Sequence, residues 1–314
     1  MQIFPNVHEI KSLFGDRHIQ QYLFVGEQVI LVDSGIIATP QEAIFPYMEK
    51  IGVPPSKLTM VIAMHADSDH HGGLPAIKDA SSSTLLACHE GDRALIEDPE
   101  VLYRDRYNFL AKDHNLGFGR EGMVYSPRRC KIDVRLAANQ SLRLGPDWNL
   151  RVWHVPGHSD GHLALYDDKN HAAFTSDAVQ AGGYPTVTGG TAFGPTYYAV
   201  NAYLATIEFL EKQPIAHLFT GHWPSTHHQE TNKFLAQSRE FVERTDEVIL
   251  EHLKQHLRGS TLKQILHAVS PKLGTWPDDA AIFLQFALFG HVERLKQRGV
   301  IHARSVSPVE YSLA

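Results

Sequence analysis

The chain has 314 residues, 43% of them hydrophobic, with a formal net charge of −6 and a pI near 6.4. That length suits one large domain, or one large and one small. The mildly acidic balance gives no electrostatic reason to expect a nucleic acid or an anionic membrane surface as partner. Two cysteines, Cys88 and Cys130, stand far apart and form no CxxC pattern, which reads as ordinary thiols of a reducing compartment. Residues 1–10 carry Pro5 and Glu9 and lack a basic start followed by an apolar run, and no stretch approaches 18 consecutive apolar residues. Neither a signal peptide nor a transmembrane helix is expected, and the cytoplasm is the expected location.

In chain order, Gln21 to Val25 and Gln28 to Val32 predict a hairpin turned at Gly26-Glu27. Asp33-Ser34-Gly35 follows, and Pro40 opens a helix to about Lys50, because proline suits the first helical turn. Leu58 to Met64 is a continuous apolar run, the pattern of a strand covered on both faces. A polar loop, HADSDHHGG, comes straight after it, then a helix from Leu74 and a strand over Thr84 to Cys88. Residues 91–130 read as an insertion that caps something. Strands resume with Leu150 to Val155, His162 to Tyr166 and His171 to Ser176. The Gly-, Thr- and Pro-rich stretch from Ala181 to Pro195 reads as loop, Tyr198 to Lys212 as helix, and Ala216 to Thr220 as a short strand.

Beyond residue 225 the character changes. His228 to Leu257 predicts one long helix or two, a further helix starts at Ser260-Thr261, and another runs from Pro277-Asp278 to Gly299. Val300 to Leu313 predicts a β-hairpin. Helices followed by a hairpin give residues 226–314 the order of a winged-helix module, set after a first domain at 1–225. The apolar face of Ile282, Phe283, Phe286 and Leu295 needs burial, so this region is expected to pack on the first domain, on a second subunit, or on both, and to help wall a pocket. A homodimer is one arrangement left open.

Four potential ligands lie in the six residues His65-Ala66-Asp67-Ser68-Asp69-His70, directly after an apolar strand. Burying such groups without partners is expensive, and a divalent metal resolves that cost. His158, in Pro156-Gly157-His158, Asp177, in Thr175-Ser176-Asp177, and His222, in Thr220-Gly221-His222, each follow an apolar strand as well. Carboxyl ends of strands in an α/β sheet are where active sites gather.

These motifs resemble the metallo-β-lactamase superfamily, whose pattern is His-x-His-x-Asp-His, then His, Asp and His, and the match runs in order over residues 18 to 225. Val32 to Gly35 (VDSG) is similar to another element of that family, and PGHSDGH looks like its glyoxalase-II-type loop. The resemblance implies an αββα metallo-β-lactamase sandwich with a C-terminal helical, winged-helix-like domain, as in some glyoxalase-II-like members. It implies one metal site from His65, position 67 and His158, and a second from Asp69, His70 and His222, with Asp177 bridging. Two divalent ions would activate water against a small ester, thioester or lactone, and Asp69 would also orient the nucleophile. Zinc is the first expectation. Position 67 departs from the pattern, being aspartate where the family has histidine. If Asp67 ligates, its hard oxygen moves the site toward iron or manganese; being shorter than histidine, it can also fall outside the ligand set. Phosphodiesterase or nuclease activity and di-iron redox chemistry are the alternatives that the same fold supports.

Other residues carry competing readings. His162 reads as a hydrogen-bonding structural histidine, and His71 and His154 lie near the motifs without an assigned role. Tyr184, Tyr197 and Tyr198 stand as substrate contacts or packing residues. Arg104, Arg106, Arg120, Arg128 and Arg129 stand as binders of an anionic substrate or as surface ion pairs.

Overall fold

The computed structural model describes residues 1–120 and 128–314. Two mixed β-sheets stack face to face. The first has seven strands in the order Gln2–Phe4, Val7–Phe14, Arg17–Val25, Val29–Val32, Leu58–Ile62, Leu85–His89 and Val134–Leu136. Its pairs are antiparallel up to Val29–Val32 and parallel from there on. The second has six, in the order Thr226–His227, His217–Thr220, Ala172–Ser176, Leu163–Asp167, Trp148–His154 and Ser141–Gly145.

Apolar residues of both sheets meet between them. Tyr22, Phe24 and Ile62 of the first pack against Leu150, Leu165, Phe174 and Phe219 of the second. Phe174 stacks on Phe219 with centroids 4.9 Å apart, and Tyr22 meets Phe174 edge-on at 5.0 Å. Strands buried on both faces read as continuous apolar runs, as residues 163–166 of Leu163–Asp167 and 172–174 of Ala172–Ser176 do. Ile44, Met48, Leu74 and Ile77, from the segments around 40–50 and 74–80, cover the outer face of the first sheet. Helix Val200–Glu211 and the C-terminal helices cover the outer face of the second. The layers therefore run helix, sheet, sheet, helix.

The region after residue 225 has one long helix, Gln229–Gln255, whose buried stripe is Phe234, Leu235, Phe241, Val242, Val248, Ile249 and Leu253. Helix Leu262–Leu273 follows, opened by a capping box between Thr261 and Gln264. Asp278–Leu284 and Gln285–Gln297 are helical, and Ser260–Thr261, Glu310–Leu313 and Ile301–Arg304 form a small three-stranded sheet. Leu262, Ile265, Leu288 and Tyr311 share one continuous core with Trp153, Tyr166 and Tyr203 of the preceding part of the chain. No helix among the described residues is long and apolar enough to cross a membrane.

Two strand regions have no counterpart in the sequence pattern, and one expectation needs correction. Residues 1–20 form strands that the sequence pattern hid. In Val7–Phe14 the polar His8 and Glu9 are buried between apolar neighbours, so no alternation shows. Val134–Leu136 and Ser141–Gly145 are also strands, short and interrupted by polar residues. The stretch read as loop from Ala181 to Pro195 contains a small hairpin, Tyr184–Pro185 paired with Thr191–Phe193. The insertion at 91–130 is largely helical as far as His114; its residues 121–127 lie outside the described residues.

Candidate metal centre

The loops that follow Leu58–Ile62, Trp148–His154, Ala172–Ser176 and His217–Thr220 converge at one edge of the sandwich. They bring His65, Asp67, Asp69, His70, His158, Asp177 and His222 together. Ligand atoms form three sets, each within 4.8 Å: Asp69–His70–His222, His65–Asp67–His158 and His65–His70–Asp177. The approach is close enough that a Cβ on Gly221 would lie 2.3 Å from Asp177 Oδ1 and 2.7 Å from His70 Cε1, so only glycine fits there.

The set around His70 is oriented from behind. His70 Nδ1 lies 2.8 Å from Asp33 Oδ2, and His222 Nδ1 lies 2.8 Å from the His18 carbonyl oxygen. Both acceptors call for a proton on Nδ1, which leaves the Nε2 lone pairs free. These Nε2 atoms face each other at 3.1 Å, a span that two nitrogens each about 2.0–2.1 Å from one ion can adopt. Two lone pairs so placed repel unless a proton or a metal cation lies between them. Asp177 Oδ1, 3.6 Å from His70 Nε2, is buried with no hydrogen-bond partner. Burial favours a neutral His70, yet the carboxylates of Asp177, Asp69 and Asp33 hold its imidazolium up to about 10. The cluster therefore calls for positive charge, and its donors fit a divalent ion.

The set around Asp67 is built differently. Arg106 grips Asp67 with two parallel bonds, Nε to Oδ1 at 2.9 Å and Nη2 to Oδ2 at 3.1 Å. Burial would raise the Asp67 pKa, but Arg106 and His158 hold its carboxyl well below the usual range. His158 Nε2 is 2.9 Å from Asp67 Oδ2, while His65 Nε2, at 3.7 Å, is beyond hydrogen-bond reach. Behind His158, Gln180 Nε2 lies 2.8 Å from Nδ1. Burial keeps His65 far below its ordinary pKa, and both its ring nitrogens lack a partner.

A cavity of about 240 Å³ opens over these carboxylates. Asp67, Asp69 and Asp177 line it together with Tyr184, and its walls include Phe14, Phe193, Phe283 and Phe286. The last two come from the C-terminal region, which thus walls the cavity. Arg17 also lines it, with its guanidinium 4.8 Å from the Phe193 ring centre and its Nε buried without a partner. Tyr184 donates its hydroxyl proton to Asp177 Oδ2 at 2.8 Å. Tyr197 is in the core, bonded to His291 at 3.0 Å, and Tyr198 lies over Arg106 at 5.6 Å; neither lines this cavity. His162 stacks on His65 at 4.6 Å, with Nδ1 2.9 Å from the Leu163 carbonyl oxygen. Arg104, Arg120, Arg128 and Arg129 pair with Asp105, Glu100, Asp79 and Asp98.

Four residues that shape the centre have no role in the sequence reading: Asp33, Gln180, Arg17, and Arg106 as the partner of Asp67. The VDSG motif marked Asp33 as a position without showing that it supports His70. Nothing in the local sequence marks the other three.

Residues 15–222 match the family described as the Metallo-beta-lactamase superfamily. A curated hydroxyacylglutathione hydrolase from Cereibacter sphaeroides is 22% identical over 170 residues, covering 54% of this chain and 52% of that protein. The chain thus spans about half the length of that relative. Two solved structures share the fold along the whole chain. A metallo-β-lactamase family protein from Thermus thermophilus superposes with TM-score 0.76 at 16% identity, with both chains fully covered. A β-lactamase domain protein from Burkholderia ambifaria gives TM-score 0.76 at 18% identity, covering 100% of this chain and 93% of the other.

Proposed function

The chain belongs to the metallo-β-lactamase superfamily, and from that premise we propose that it is a metal-dependent hydrolase of a small ester, thioester or lactone. The observation that carries this reading is the pair of facing Nε2 atoms on His70 and His222, 3.1 Å apart beside an unpartnered oxygen of Asp177, a residue that lines an aromatic cavity. Asp69, His70, Asp177 and His222 would hold the ion, and His65 can reach the same set.

A divalent ion held there supplies Lewis acidity and brings the ionisation of water near neutral pH. The chain's own residues do the rest. Asp69 lines the cavity, and its Oδ2 lies 3.4 Å from His222 Nε2. Burial disfavours its charge, but His70 and His222 bring its pKa down to about 2, so it stands ionised and can orient a water or take its proton at Oδ2. Tyr184 holds Asp177 through Oδ2 and leaves Oδ1 directed toward His70. The phenylalanine walls suit an apolar acyl group and exclude water, and Arg17 is placed to pair with a carboxylate of the substrate.

The similarity to a protein named for cleaving an acyl group from glutathione supports acyl transfer to water. Zinc is the ion we propose; iron and manganese are the alternatives that a carboxylate-rich donor set accepts. The helical C-terminal region, with its small sheet, supports a winged-helix-like reading, and it contributes Phe283 and Phe286 to the cavity wall. The test is turnover of ester, thioester and lactone panels before and after exhaustive chelation. Activity should fall to background and return with added metal. Full turnover by metal-free protein would refute the reading.

A further inference from the structure

The orientation of Gln180 is fixed from two sides. Its amide oxygen accepts the Thr196 backbone N–H at 2.8 Å, and its nitrogen donates to the Asp177 carbonyl at 3.1 Å. Turning the amide over would set donor against donor and acceptor against acceptor. The same nitrogen, also 2.9 Å from the Tyr184 hydroxyl, makes its shortest contact with His158 Nδ1 at 2.8 Å, and as a donor-only group it can meet that atom only with an N–H. His158 Nδ1 must accept, so the neutral ring carries its proton on Nε2, 2.9 Å from Asp67 Oδ2. That nitrogen has no lone pair for a metal. His70 and His222 show the reverse arrangement, with Nδ1 facing acceptors and Nε2 free.

Charge points the same way. Both Asp67 oxygens are engaged by Arg106, whose side chain is buried and whose Nη2 lies 3.5 Å from His158 Nε2. The guanidinium is held over the rings of Phe286, at 5.1 Å, and Tyr198, at 5.6 Å, and cannot leave without stripping the half-buried Asp67 carboxylate of its partner. A divalent ion placed among His65, Asp67 and His158 would face that fixed cation across a few ångströms of buried protein. The set around His70 has three carboxylates, Asp33, Asp69 and Asp177, and among the described residues no arginine or lysine forms an ion pair with them; Arg17 lines the same cavity but pairs with Asp16.

We propose that this chain binds one metal ion, at Asp69, His70, Asp177 and His222, and that Arg106 supplies the positive charge at the place where the family pattern implies a second ion. The proposal rests on the metal-hydrolase reading for its first half. Gln180 and Arg106 are positioning residues, one setting the His158 tautomer and the other holding Asp67.

The experiment is a count of metal. Full-length protein is loaded with excess zinc or manganese, freed of loose ion by gel filtration, and its bound metal is measured by elemental mass spectrometry. The wild type should hold one equivalent, His158→Ala should keep it, and His222→Ala should lose it. Arg106→Met combined with Gln180→Glu should raise the count to two, because Asp67 is freed and His158 Nδ1 gains an acceptor. Two equivalents in the wild type, or one that His158→Ala abolishes, overturn the proposal. A folded double variant that stays at one overturns it as well. If the double variant does not fold, the two histidine variants still decide. No bound metal in the wild type defeats the hydrolase reading itself, an outcome distinct from the other two.

Discussion

Two halves of one centre use nearly the same side chains and differ in what stands behind them. Around His70 the outer ring nitrogens meet a carboxylate and a carbonyl, and uncompensated negative charge gathers at Asp69 and Asp177. Around His158 the outer nitrogen meets an amide N–H, and the single carboxylate of Asp67 is already neutralised by a guanidinium. On the one-ion proposal, residue type at a motif position does not settle ligation. The tautomer imposed from the second layer and the local charge balance decide whether a lone pair faces the ion.

The largest expected effect comes from Asp67→His, which restores the common family pattern at the cost of the ion pair. It leaves the Arg106 guanidinium buried without its partner, and breaking such a pair by removing one member costs on the order of 3–5 kcal/mol. A marked drop in the denaturant midpoint is therefore expected, and Asp67→His with Arg106→Met should recover most of it. An Asp67→His variant as stable as the parent would show that the ion pair does not hold this half together.

Asp69→Ala tests the other half. Its carboxylate is the ionised group that faces both the cavity and the His70–His222 pair. Turnover should fall about 100-fold or more, the scale of a positioned general base, while circular dichroism stays that of the parent. Near-normal rates in a folded Asp69→Ala protein would move the proton-handling role elsewhere.

Much of the centre was legible because each ligand motif directly follows an apolar strand, and four such motifs in order leave few arrangements. His65, Asp69, His70, His158, Asp177 and His222 announce themselves in this way, and the structure brings all of them to one place. Arg106 does not. In Tyr103–Tyr107 it stands two residues from Arg104, whose side chain is 69% exposed and paired with its neighbour Asp105, and no local pattern separates the two arginines. The pairing with Asp67 spans 39 positions of sequence and depends on how the insertion folds back over the loop. Gln180 is hidden for a similar reason, since its effect depends on Thr196 and the Asp177 carbonyl fixing the amide. Strand Val7–Phe14 escaped because buried His8 and Glu9 break the period-two signal on which strand recognition rests.

The finest test turns one half of the centre into the other by a single atom. Asp33 Oδ1 accepts the Met64 backbone N–H at 2.9 Å, and Oδ2 accepts from His70 Nδ1 and from Ser176 Oγ, each at 2.8 Å. In Asp33→Asn the side-chain oxygen should stay on the Met64 N–H, because a buried backbone donor left unpaired is costly. The new amide nitrogen then faces His70 Nδ1 with hydrogens. His70 must accept there and carry its ring proton on Nε2, the arrangement that Gln180 imposes on His158. Metal affinity should fall about 10–100-fold, the usual scale for losing a supporting partner behind a ligating histidine. Titration against a chromophoric chelator measures it, with thermal unfolding as the check that the sandwich is intact. If a folded Asp33→Asn protein binds metal as tightly as the parent, the group behind the ring does not set its tautomer, and Gln180 does not close the His158 half to metal.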